Sequence, residues 1–129
     1  MQRAETKIRA RALQMLYAWE LKGRPSMDVV AHDLRQRGKP AKLAASVVKD
    51  VQSLDHDIAD AANNWRFERI GVVERNILRL GLYELMNLEL PAPVAIDEAV
   101  KLAHWFAGPK APGFVNGVLD ALARRLGRL

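Results

Sequence analysis

Cysteine is absent from the 129-residue sequence, which excludes a disulfide framework and any thiolate metal site. Threonine occurs once, as Thr6, while Ala and Leu dominate, so strands are not expected and helices are. No apolar run approaches the roughly 20 residues that span a bilayer, and the N-terminus is charged where a secretory signal would be apolar. A reducing, cytoplasmic setting is the expectation. Serine is scarce too: Ser26, Ser46 and Ser53 are the only three, and none lies in a nucleophile-elbow pattern. His32, His56 and His104 lie far apart, and the two acids flanking His56, Asp55 and Asp57, point to different sides of a helix. No Gly-rich phosphate loop follows a strand. These absences argue against an enzyme, and no cofactor or metal is expected.

What is present is helical periodicity and an uneven charge. Half of the chain is hydrophobic and 27% is charged, which suits one globular domain with a real core. The net charge of +5 divides into +4 over residues 1–25, −1 over 26–64, zero over 65–90 and +2 over 91–129. Positive charge at both ends points to an anionic partner, or simply to solvated termini.

Residues 4–22 read as a helix with Ile8, Ala12, Met15, Leu16 and Trp19 facing inward, while Arg3, Lys7 and Arg11 recur every four residues on another face, with Arg9 nearby. Gly23, Pro25 and Ser26 end it, and Ser26 is placed to cap a short second helix carrying Val29, Val30 and Leu34. A third helix is expected to run to about Asn63 on Leu43, Val47, Val51, Leu54 and Ile58, with Asn63 and Asn64 closing it. Trp65 to Gly71 reads as a linker with two aromatics and room for a short turn. The helix from about Val72 to Leu88 is apolar on several sides (Val73, Ile77, Leu78, Leu80, Leu82, Leu85 and Leu88), as a central helix must be. Pro91 and Pro93 break it. A helical hairpin follows from Val94, its elbow being Gly108-Pro109-Lys110-Ala111-Pro112-Gly113. About seven short to medium helices, no clear strand and no internal repeat give an all-α bundle.

Four features of this pattern carry alternatives. Gly117, inside an apolar stripe, suggests close approach of another backbone. Arg79, within Ile77-Leu78-Arg79-Leu80, is expected to be buried and neutralised by Glu98 or Glu84. Arg124, Arg125 and Arg128 either complement the last helix's dipole or meet phosphates. Phe114 is either core or a ring on which an unpaired base can stack.

Three blocks resemble the NusB family. They are Val73-Glu74-Arg75-Asn76-Ile77-Leu78-Arg79-Leu80-Gly81-Leu82-Tyr83-Glu84-Leu85, then Val94-Ala95-Ile96-Asp97-Glu98-Ala99-Val100-Lys101-Leu102-Ala103, and Phe114-Val115-Asn116-Gly117-Val118-Leu119-Asp120. The first helix adds Arg9, Ala10, Arg11, Leu13, Gln14, Leu16, Tyr17 and Trp19, so the resemblance spans the chain. It implies a single NusB-like domain over residues 1–129, with an N-terminal three-helix part (about 1–64) packed on a C-terminal four-helix part (about 65–129). It also implies a non-enzymatic antitermination factor that pairs with the small-subunit ribosomal protein NusE and binds single-stranded boxA RNA. Other Nus factors and RNA polymerase would join indirectly in processive rRNA transcription, and monomer and homodimer both stay open. Position by position, Arg3, Lys7, Arg9 and Arg11 would form the basic RNA-binding segment, Lys110 and Phe114 would lie at the RNA surface, and Tyr17 and Glu74 would meet NusE. Two departures stand out: Glu5, Thr6 and Ile8 thin the opening Arg run, and Lys110 stands roughly where the family carries an acid. The alternatives are an RNA-binding domain of the kind associated with rRNA cytosine methyltransferases, and a helical module that binds only protein.

Overall fold

A computed structural model describes residues 4–62 and 67–129, and over these the chain is all-α. It forms α1 (Ala4–Leu21), α2 (Met27–Asp33), α3 (Lys39–Lys49), α4 (Val51–Ala61), a 3₁₀ turn (Phe67–Arg69), α5 (Val72–Leu85), α6 (Ala92–Phe106) and α7 (Ala111–Arg125). The contacts gather into two units, Met1–Asp50 and Val51–Leu129.

In the first unit α1 packs on α3, and α2 lies against both. Ala12, Leu13, Met15, Leu16 and Trp19 form the buried stripe of α1, joined by Val30, Ala44 and Val47 from α2 and α3. The α1 end is fixed by two residues at positive φ, Gly23 (84°) and Arg24 (62°). Arg24 N–H donates to the Trp19 carbonyl at 2.9 Å, and its guanidinium lies 4.9 Å from the centre of the Trp19 ring. These contacts offset the strain of a left-handed arginine. Ser26 caps α2 as expected, its hydroxyl oxygen accepting from Val29 N–H at 3.4 Å.

The single long helix expected over residues 41–63 is instead two. The apolar spacing passes straight through Asp50 and gives no warning of a break there. Yet Asp50 leaves the helix (φ −101°, ψ 12°), and the two halves serve different neighbours, α3 facing α1 and α2 while α4 faces α5 and α7. The closing residues Asn63 and Asn64 lie outside the described residues.

In the second unit α5 is central, packing on α4, α6 and α7. Ile77, Leu78, Leu80, Leu82 and Leu85 are buried round its whole girth, each such side chain contributing on the order of 1.5–3 kcal/mol. Gly81 is what lets the crossing close: a Cβ there would stand 2.7 Å from Leu119 Cδ1 on α7 and 3.3 Å from Ala99 Cβ on α6. The glycine expected to do this, Gly117, is exposed with nothing near its would-be Cβ. Helix α5 also stops one turn earlier than periodicity predicts, and Leu88 is 84% exposed in the turn that follows.

Arg79 has no exposed surface, as predicted, but the carboxylate gripping it is Asp55 of α4 where Glu84 or Glu98 was expected. Its Nε donates to Asp55 Oδ1 at 2.6 Å and a terminal nitrogen donates to Asp55 Oδ2 at 2.8 Å. The other terminal nitrogen donates to Asn76 Oδ1 at 2.8 Å, and Asn76 Nδ2 donates to the Val72 carbonyl at 2.9 Å. A fork of this geometry satisfies both charge and hydrogen-bonding capacity inside the core.

Candidate nucleic-acid interface

The elbow of the α6–α7 hairpin and the residues entering α5 enclose a cleft of about 490 Å³. One wall is Arg69, Ile70 and Gly71 with Glu74 from the first turn of α5; the other is Gly108 to Ala111 with Phe114 from the first turn of α7. Each wall is held from behind. Ile70 is buried, its N–H donates to the Phe67 carbonyl at 3.1 Å, and its own carbonyl accepts from the Arg75 guanidinium at 2.9 Å. Arg75 and Arg79 lie 5.6 and 5.5 Å from the centre of the Phe67 ring, so the core ion pair reaches the cleft wall through one aromatic. A Cβ on Gly71 would collide with the Glu74 carboxylate, so glycine here supplies room for that side chain. Across the cleft, Ala107 is extended (φ −123°, ψ 178°) and ends α6, while Ala111 N–H donates to the Gly108 carbonyl at 3.0 Å to restart the chain as α7.

The cleft gathers three of the residues singled out from sequence. Lys110 is exposed, Phe114 is half-buried at the lining, and Glu74 stands on the facing wall. Ile70, Pro109, Ala111 and the Phe114 ring make a largely apolar interior, with cations at Arg69 and Lys110. Such a site takes a flat ring and an anion together, and it has no nucleophile, acid–base pair or metal set. Among the described residues no group of three or more His, Asp or Glu is gathered to hold a metal, and the three histidines are all exposed.

The remaining predicted residues fall as follows. Lys7 and Arg11 are exposed one turn apart on α1. Arg9 is only 9% exposed, among the buried residues of α1, because positions 6, 9, 13 and 16 share the core side of that helix. The sequence placed it only near the stripe of Lys7 and Arg11, and its burial sets it apart from them. Arg3 lies outside the described residues. Tyr17 is 38% exposed on α1. The C-terminal arginines are structural. Arg124 pairs with Asp120 at 3.0 Å, Arg125 with Asp60 at 2.7 Å, and Arg128 donates to the carbonyls of Leu85, Asn87 and Leu90. Half-exposed Trp105, 42% accessible, sits in the last turn of α6 just before the elbow. Arg69 and Gly71 were missed as site residues because their stretch reads as a linker; the signal was basic and aromatic residues interleaved beside a helix start.

The cleft thus offers an aromatic ring and two cations, a lining suited to nucleic acid. The NusB family model matches residues 6–124. The transcription antitermination protein NusB of Sorangium cellulosum (strain So ce56) is 43% identical over 134 aligned residues, covering 98% of this chain and 96% of that protein. A solved structure of T. maritima NusB superposes with a TM-score of 0.82 at 26% identity, covering 96% of this chain and 93% of its own. A structure of antitermination factors NusB and NusE in complex with dsRNA superposes with a TM-score of 0.79 at 31% identity, covering 97% and 99%. The chain belongs to the NusB family, whose members are non-enzymatic antitermination factors.

Proposed function

We propose that this chain is a transcription antitermination factor that pairs with NusE and holds the single-stranded boxA element of nascent RNA, in support of processive rRNA synthesis in the cytoplasm. Other Nus factors and RNA polymerase would join through that pair. The observation that carries the proposal is the cleft, because it sets the Phe114 ring and the Lys110 ammonium on one lining. An aromatic face stacks unpaired bases of any sequence, a contact worth about 1–3 kcal/mol per base, and a duplex offers no such face. Lys7 and Arg11 supply a second cationic strip on α1.

Tyr17 and Glu74 are the proposed NusE contacts. Glu74 also lines the cleft, which supports a protein contact beside the RNA there. The relative from Sorangium cellulosum is covered over 96% of its length and named an antitermination protein, which favours this function over that of a methyltransferase-associated domain. Mobility shifts with boxA RNA and a scrambled control, with and without NusE, test the proposal. A boxA-selective complex strengthened by NusE is expected. Failure to bind either partner would remove it.

A further inference from the structure

We infer that Arg69 is a phosphate contact on the opposite wall from Lys110, so that the cleft seats one unstacked nucleotide between two cations. This rests on the RNA function proposed above and adds a residue that neither the sequence pattern nor the family resemblance assigns.

Arg69 of the 3₁₀ turn and Arg75 and Arg79 of α5 have different environments. Arg75 spends its guanidinium on the Ile70 carbonyl and the Phe67 ring. Arg79 is sealed in the core against Asp55 and Asn76. Arg69 is exposed, lines the cleft, and pairs with no carboxylate among the described residues. The two inward arginines fix the backbone on which the outward one stands. The base of the Arg69 side chain is therefore placed by the fold while its guanidinium stays available. A guanidinium fork matches two phosphate oxygens at once, and Lys110 offers a point charge.

The cleft's size and lining select the occupant. At about 490 Å³ it falls within the range of small-ligand sites, room for a base with its ribose and far too little for a double helix. Ile70, Pro109 and the Phe114 ring suit the base faces. Glu74, the single carboxylate of the lining, makes the interior unfavourable to phosphate and favourable to the amino groups of a base. The phosphates on either side of the seated nucleotide then fall at the rim, where Arg69 and Lys110 stand.

The test measures boxA affinity across a salt series for the full chain and for Arg69→Ala, Arg69→Lys, Lys110→Ala and Phe114→Ala, with NusE affinity determined alongside. Each lost phosphate contact on a single strand reduces the slope of log affinity against log salt by about 0.7. Arg69→Ala is expected to weaken RNA binding several-fold and flatten the slope by that amount, Lys110→Ala to do the same, and the double variant to lose about twice as much. Phe114→Ala should weaken binding with the slope unchanged, and Arg69→Lys should keep the slope while losing part of the affinity. An unchanged slope in Arg69→Ala overturns the inference. So does a loss confined to NusE affinity, which would assign Arg69 to the protein partner. If the unaltered chain binds no RNA with or without NusE, the RNA function itself fails and this inference with it.

Discussion

At the residue scale, Arg79 shows how a buried charge can organise a site at a distance. It holds α4 to α5 through Asp55, orders Asn76, and presses on the Phe67 ring that backs the cleft wall. Breaking such a pair from one side leaves an uncompensated charge in the core, a loss of about 3–5 kcal/mol. Asp55→Ala is therefore expected to lower stability by that much in urea unfolding, and Asp55→Asn, which keeps an acceptor, by clearly less. Equal, small losses would mean the pair is dispensable. The need for a partner was legible in the sequence, because an arginine between Leu78 and Leu80 on a central helix cannot reach water. The partner's identity was not. Asp55 lies 24 residues away on a segment read as the tail of another helix, and nothing local marks it as inward. Arg9 differs in burial from its basic neighbours Lys7 and Arg11 because its register on α1 is that of Leu13 and Leu16.

At the scale of elements, two glycines exchange the roles that sequence suggested. Both sit inside apolar helical stripes, so periodicity treats them alike, and only the neighbouring helices tell them apart. Gly81→Ala would drive a Cβ to 2.7 Å from Leu119 Cδ1 and 3.3 Å from Ala99 Cβ, so the buried Leu119 side chain must shift. Overpacking of this kind costs about 1–3 kcal/mol, against a helix-propensity gain of about 1. Gly117→Ala meets open space on α7 and should stabilise by about 0.5–1 kcal/mol. In thermal unfolding the two variants are expected to move Tm in opposite directions, by roughly 2–5 °C each. Shifts of the same sign would show that α7 presents a different face to α5. The hairpin and its elbow were the most legible elements, since paired Gly and Pro signal a stop and restart without help from tertiary contacts. The break at Asp50 was the least, because Asp neither forbids a helix nor interrupts the apolar stripe.

At the scale of the whole molecule, the net charge of +5 overstates what is available to a polyanion. The last three arginines are spent on Asp120, Asp60 and backbone carbonyls. Among the described residues, four exposed cations remain for the proposed RNA path: Lys7, Arg11, Arg69 and Lys110. Four single-strand phosphate contacts predict a slope of log affinity against log salt of about −3. The exposed Arg35 and Arg37 before α3, with Lys39 and Lys42 in its first turn, are a separate run of basic residues. Neutralising all four is expected to leave that slope unchanged. A markedly shallower slope in the neutralised chain would bring those residues into the RNA path.

The two described tryptophans differ in a way that makes the molecule its own reporter. Trp19 is buried with the Arg24 guanidinium against its ring, whereas Trp105 is 42% exposed beside the elbow. Acrylamide in the solvent will quench the second indole and hardly reach the first. With the third tryptophan replaced (Trp65→Phe), emission from the unlabelled protein carries a component that follows traffic at the elbow, and a strand settling there registers as shielding of one indole.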